Sequence, residues 1–295
     1  MAENIVSGQN VRIRIMLELM YITNNPDVAS IAEKYGVQRI WIDLETLGKE
    51  ERQKNMDCVK SQHSINDIQI ISNVLSNAEL MVRINPWNSN SEAEIEKVIS
   101  AGAQRIMLPM WKSTEETSKF LSAVNLRVNT TLLLETKEAV ECLDDVLANP
   151  LLDEIHIGLN DLHLSYGLTF MFELLTNGTV EMLCNKMKKA GIKFGFGGIA
   201  SIGKGMLPAE KIIMEHYRLG SSRAILSRSF CDTEKTKDIV EIQNLFKENM
   251  RKLRIYENTL SSKSYEDYYA NMQDVKFCVA SITNSIQEEK HNDKC

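Results

Sequence analysis

Eight short runs rich in β-branched and apolar residues punctuate the chain, at 12–20, 39–44, 80–84, 105–110, 130–134, 154–158, 193–197 and 222–226, and each is followed by a helical pattern. Short buried strands alternating with helices call for a parallel sheet whose crossovers cover its outer face. Eight such units suggest closure, so the expected fold class is α/β, a (β/α)8 TIM barrel with additional C-terminal helices. A length of 295 residues accommodates it. S-x-x-E sequences at Ser91–Glu94 and Ser113–Glu116 predict capping boxes at two of the helix starts.

The barrel is expected to occupy residues 1–260, the last of them in a long charged helix from Thr233 to about Leu260. An apolar-periodic segment around 265–286 and the polar tail QEEKHNDKC then form a helical extension over 261–295. A homo-oligomer is the expected assembly, with the arm packing on a neighbouring subunit; covering its own barrel is an equal alternative.

Several partner classes are disfavoured. The net charge is −6, and 34 Lys and Arg are interspersed with 40 Asp and Glu, so neither nucleic acid nor an anionic membrane is an expected partner. The apolar runs are far shorter than the roughly 20 residues of a membrane helix. The start, MAENIVSGQN, has no basic region followed by an apolar stretch, and a cytoplasmic location is expected. Cys58, Cys142, Cys184, Cys231, Cys278 and Cys295 are scattered without metal-binding or C-x-x-C spacing, as reduced thiols would be, and Cys142 and Cys184 read as packing residues.

Barrels of this class carry their active sites at the C-terminal ends of the strands. Here those ends are polar: Asp43 and Glu45 after the second, Arg83 and Asn85 after the third, Glu135 after the fifth and Asp161 after the sixth. An acid placed straight after Leu132-Leu133-Leu134 must be paired or solvated. Carboxylates from adjacent strands can share one hard cation, so Glu135 and Asp161 are candidate ligands for Mg2+ or Mn2+. A helix cap at Glu135 and a turn at Asp161 would account for them equally. Arg83 is suited to grip a carboxylate or stabilise an enolate oxygen, or else to pair with Asp43 or Glu45. Glu18, Asp43 and Glu45 are expected as acceptors around the metal.

The series WIDLE, VRINP, GAQRIMLPM, LLLET and IGLNDLHLSYGL, in this order, resembles the HpcH/HpaI aldolase and citrate lyase β-subunit family over residues 12–230. The resemblance implies a metal-dependent carbon–carbon lyase of the aldolase type. In it Glu135 and Asp161 bind Mg2+ or Mn2+, and Arg83 holds a pyruvate-like 2-keto acid or its enolate. Asn85 and Pro109, in the same motifs, are expected to line the substrate site. The co-substrate is expected to be an aldehyde or a thioester.

Aldolases of the family have a histidine where this chain has Thr46, whose hydroxyl is a poor general base, and the citrate lyase type has an acid that Thr46 does not reproduce either. His156, His163 and Lys112 are substitutes to consider, though a histidine near a strand end is more often a hydrogen-bonded packing residue and Lys112 reads also as an exposed helix-start lysine. Gly197 and Gly198, with Ser227 and Ser229, are expected to bind a phosphate or carboxylate tail, unless the glycines only make room at a strand–helix junction. Trp87 and Trp111 either wall the pocket or pack between loops. The alternative functions are a citrate lyase-like acyl-CoA lyase or synthase, for which no basic cluster announces a CoA site, and a non-catalytic metabolite-binding barrel.

Overall fold

A computed structural model describes residues 16–48, 63–233 and 235–292. Eight parallel strands close in sequence order: β1 Glu18–Ile22, β2 Arg39–Asp43, β3 Glu79–Arg83, β4 Arg105–Leu108, β5 Asn129–Leu134, β6 Glu154–Ile157, β7 Lys193–Ile199 and β8 Arg223–Leu226, which returns to pair with β1. Around them run α1 Pro26–Lys34, α2 Ile65–Ser72, α3 Ser91–Ser100, α4 Thr114–Val124, α5 Lys137–Glu141, α6 Leu143–Leu147, α7 Leu159–Ser165, α8 Glu173–Thr176, α9 Thr179–Ala190 and α10 Ala209–Leu219. The fold is a (β/α)8 barrel with extra C-terminal helices. Of the described helices, none is long and apolar enough to cross a membrane.

Most strands fall where the sequence predicts them, and the exceptions have local causes. β1 begins at Glu18 and runs on to Ile22, because its register with β8 pairs Glu18 with Arg223; residues 12–15 of the predicted run lie outside the described residues. β4 stops at Leu108, since Pro109 has no N–H for the ladder. β7 runs to Ile199 through an irregularity between Gly195 and Gly198.

The two predicted capping boxes differ from expectation. Ser113 does cap α4, its hydroxyl accepting the Glu116 N–H at 3.2 Å, but the Glu116 carboxylate reaches the Lys112 N–H instead of the cap's own. Ser91 is already inside α3, and Glu94 bonds Asn85. A competing partner within reach has taken the reciprocal half of each box.

Side chains of a strand alternate between its faces, so every second one enters the barrel. The lowest layer is charged. Arg39 pairs with Glu79 at 2.7 Å and Glu154 at 2.8 Å, Arg105 with Glu79 at 2.9 Å, Arg223 with Glu18 at 3.0 Å and also with Glu154. Glu18 is therefore not near the strand C-termini, as the sequence reading had it. It starts β1 and so sits at the opposite end. Above this floor lie Met20, Trp41, Met81, Met107 and Leu133 as a separate apolar cluster. The outward strand residues, such as Ile40, Ile42, Val82, Ile106, Leu134 and Ile157, build the larger core against the helices.

Two further helices follow β8. In α11, Ile239–Thr259, the buried stripe Ile242, Phe246, Met250 and Leu253 faces the barrel, and Phe246 meets Tyr21 edge-on at 5.0 Å. Glu257 accepts the Leu17 N–H at 3.0 Å and the Tyr217 hydroxyl at 2.8 Å, tying this helix to the entry of β1 and to α10. In α12, Tyr265–Asn292, Val275 and Val279 are buried and Asn271 donates to the Lys211 carbonyl and to Glu215 of α10. The arm thus covers its own barrel.

The floor makes a prediction. Burial alone would raise the Glu154 pKa, but the charges of Arg39, Arg105 and Arg223 outweigh it and bring the group from 4.5 down to about 2. A carboxyl whose pKa is lower folded than unfolded stabilises fully above its unfolded value, and that stability is lost as pH falls through the folded one. Glu154→Gln is expected to cost about 3–5 kcal/mol at neutral pH in urea unfolding, because it strands buried guanidinium charges. It should also flatten the loss of stability between pH 4.5 and about 2. An acid limb as steep as in the unmodified protein would contradict this role.

Candidate active site

At the C-terminal end of the barrel the alternation that placed Glu79 and Met81 inside places Arg83 there as well. Asp43 grips it in a bidentate ion pair, accepting from Nε and Nη2 at 2.9 Å each, and Glu45 lies 3.2 Å from Nη1. The guanidinium sits 5.0 Å over the Trp41 ring, a cation–π stack that joins the mouth to the apolar layer beneath. Asp43 and Glu45 are 2% and 3% exposed, so these pairings are shielded from water and strongly directional. Of the two uses the sequence left open for Arg83, pairing with Asp43 and Glu45 is present.

Glu135 follows β5 and is 3% exposed. Its Oε1 accepts the Met110 N–H at 3.0 Å, and Met110 adopts φ +52°, a left-handed conformation that costs a non-glycine residue about 1–3 kcal/mol. Pro109, buried, ends β4 and sets up this turn. Gly158 gives Glu135 its room, since a Cβ there would fall 2.8 Å from Oε2. Burial, then the nearby Asp161 and Glu45 carboxylates, push the Glu135 pKa well above the ordinary carboxylate range, while Arg83 and the Met110 N–H oppose them.

Asp161 does not end β6, which stops at Ile157; it stands in the first turn of α7. Its carboxylate still reaches far enough over the mouth to act on Glu135. Among the described residues, no three His, Cys, Asp or Glu side chains converge as a ready-made metal cage. Two carboxylates facing one space, one buried and repelled by the other, nevertheless form a donor set that suits a hard cation such as Mg2+, which characteristically takes only one or two protein carboxylates.

Asn85 is a loop clamp. Its Oδ1 accepts the Thr46 N–H at 2.9 Å, the Thr46 hydroxyl at 3.2 Å and the Leu47 N–H at 3.0 Å, and its Nδ2 donates to Glu94 at 2.8 Å. The Thr46 hydroxyl is thereby engaged. Gly197 has φ +52°, its carbonyl faces His156 Nε2 at 3.1 Å, and a Cβ would fall 2.7 Å from Leu159. Space is thus a requirement at Gly197, whereas at Gly198 a Cβ would make ordinary contact with the Ile225 carbonyl at 3.4 Å. The Ser227 and Ser229 hydroxyls bond each other at 2.9 Å on the rim.

The substitutes weighed for the missing histidine meet their structural alternatives. His156 is fully buried inside the barrel, where burial lowers its pKa to about 4 and keeps the ring neutral. His163 packs within α7, its Nδ1 against the Leu159 carbonyl at 3.2 Å. Lys112 lies exposed at the start of α4. Trp111 is fully buried in the core between barrel and helices, and Trp87, half-buried, packs against it. One residue had no local signal in the sequence. His63, 20 positions from Asp43, accepts the Asp43 N–H on Nδ1 at 3.0 Å.

The sequence model of the HpcH/HpaI aldolase/citrate lyase family matches residues 17–194, a span that includes Arg83, Glu135 and Asp161. The chain belongs to this family. Its members are lyase- and aldolase-type enzymes, which makes this protein an enzyme of that broad type. The structure resembles an HpcH/HpaI aldolase from Desulfitobacterium hafniense DCB-2 at 15% identity and TM-score 0.57, over 77% of this chain and 93% of that one. An HpcH/HpaI aldolase/citrate lyase family protein from Burkholderia cenocepacia J2315 matches at 12% identity and TM-score 0.55, over 77% and 95%. Tryptophan synthase from M. tuberculosis matches at 13% identity and TM-score 0.54, over 81% and 94%, so structural likeness at this level speaks for the barrel alone. No curated protein matches the sequence.

Because Asn85 carries three bonds from the loop after β2, Asn85→Ala is expected to cost about 1–3 kcal/mol in chemical denaturation and to speed protease cleavage at Leu47. Unchanged stability and unchanged cleavage would remove the clamp from this account.

Proposed function

We propose that the protein is a divalent-metal-dependent carbon–carbon lyase of the aldolase type, acting on a 2-keto acid through a pyruvate-like enolate. The observation that carries this reading is the convergence of Glu135, Asp161 and Arg83 on one mouth, with Glu135 buried beside a second carboxylate and held there by a strained backbone. Family membership supplies the reaction class.

In this reading Glu135 and Asp161 hold Mg2+ or Mn2+. A cation so held supplies Lewis-acid polarisation of the keto acid's oxygens. Arg83 is the catalytic residue of the chain itself. Asp43 occupies its Nε–Nη2 edge and fixes the plane of the guanidinium, so the N–H groups that neither Asp43 nor Glu45 takes meet a carboxylate or an enolate oxygen without reorganising. Asn85 and Pro109 bound the substrate space by fixing the loops after β3 and β4, and Gly197 and Gly198 bound it by leaving room. The second substrate is an aldehyde or a thioester. Of the described residues, those up to 260 form the proposed catalytic barrel and those from 261 to 292 its covering extension.

Calorimetry with Mn2+ tests the ligands. Glu135→Gln/Asp161→Asn is expected to lose binding by at least about 100-fold, and Gly158→Ala, which displaces Glu135, by about tenfold. Equal binding by all three proteins would end the proposal. Chemistry is read from deuterium uptake into the methyl group of pyruvate in D2O. Metal-dependent uptake is expected, reduced about 100-fold or more in Arg83→Lys, which keeps the charge but not the fork. Absence of metal-dependent uptake in the unmodified enzyme would rule out the pyruvate enolate.

A further inference from the structure

We propose that His63 is a positioning residue for Arg83: by accepting the Asp43 N–H it anchors the strand end whose carboxylate orients the guanidinium. The inference deepens the proposed function and rests on Arg83 serving the substrate.

Alternate N–H groups of a strand face opposite neighbours. The Leu44 N–H donates to the Arg83 carbonyl on β3 at 2.9 Å, so the Asp43 N–H faces the β1 side. There the ladder has ended. Its last register pair is Ile22 with Trp41, Thr23 donates to the Trp41 carbonyl, and the chain then turns at Asn25 into α1. Asp43 is 2% exposed, so water does not take the place of the missing strand. His63 Nδ1 does, at 3.0 Å.

The Asp43 carboxylate is committed as tightly as its backbone. Oδ1 accepts from Arg83 Nε and from the Glu45 N–H at 3.2 Å, and Oδ2 accepts from Arg83 Nη2. Backbone displacement at residue 43 therefore turns the guanidinium and shifts Glu45 with it. A backbone N–H only donates, so Nδ1 is the acceptor and the neutral ring carries its proton on Nε2. In this bond His63 is not a general base and does not replace the histidine that Thr46 lacks.

The test uses the full-length protein with 15N-labelled histidine and arginine, at pH 8 and without metal. His63, assigned among the five histidines by its loss in His63→Asn, is expected to show an unprotonated Nδ1 and a protonated Nε2. The Arg83 Nε–H signal, protected from exchange by the Asp43 pair, is expected to weaken in His63→Ala. It should persist in His63→Asn, whose amide oxygen lies near the place of Nδ1. With Mn2+ present, oxalate affinity should fall about tenfold in His63→Ala and stay within about threefold of the unmodified protein in His63→Asn. A protonated Nδ1, an Arg83 signal unchanged in His63→Ala, or an asparagine variant that loses that signal would each overturn the proposal. Should the alanine variant fail to fold, the ring tautomer and the asparagine variant decide. Should the unmodified protein bind no oxalate, the keto-acid reading fails, while the two spectra still decide the role of His63.

Discussion

A closed eight-stranded barrel has no edge, so every second side chain of every strand must find its partners inside. The rest of this structure follows from that constraint. At the floor it is met by charge alternation among Glu18, Arg39, Glu79, Arg105, Glu154 and Arg223, and one level up by three methionines, Trp41 and Leu133. At the mouth, among the described residues, the carboxylates of Asp43, Glu45, Glu135 and Asp161 crowd around the Arg83 guanidinium.

That imbalance marks the mouth as the candidate site. Asp43 and Glu45 both engage Arg83, and Glu135 lies buried next to Asp161 with the Met110 N–H and a share of the same guanidinium in its favour. A chain selected for stability alone would not bury an acid against another acid behind a left-handed methionine. Local strain and unbalanced charge coincide at one place, and the stability that sustains them comes from the floor and from the apolar wall around it.

Much of the fold was legible because parallel barrels write themselves locally: apolar runs of strand length, each followed by a helical period. The strand ends were legible for the same reason, since an acid after Leu132-Leu133-Leu134 or an arginine after Met81-Val82 is conspicuous wherever it occurs. What misled was a missing donor at Pro109 or a competing partner, near in the chain or far from it. The predicted β1 run ends at Met20, whereas the strand goes on to Ile22, a limit set by its pairing with β2. Glu94 looked like half of a capping box until Asn85 took it, and Glu18 looked like a site acid until its position at the start of β1 turned it to the floor.

The sequence by itself determined the eight-fold repeat, the polar strand ends and the motif order that marks the family. Each of these depends on neighbours along the chain. Only the tertiary structure decided which acids face Arg83, that Gly158 exists to admit Glu135, that Thr46 and Asn85 are locked together, and that His63 completes the end of β2. Those are contacts across closed strands. Their partners are separated by tens of residues, and nothing in local propensity or spacing encodes which of many polar groups will meet when the barrel shuts.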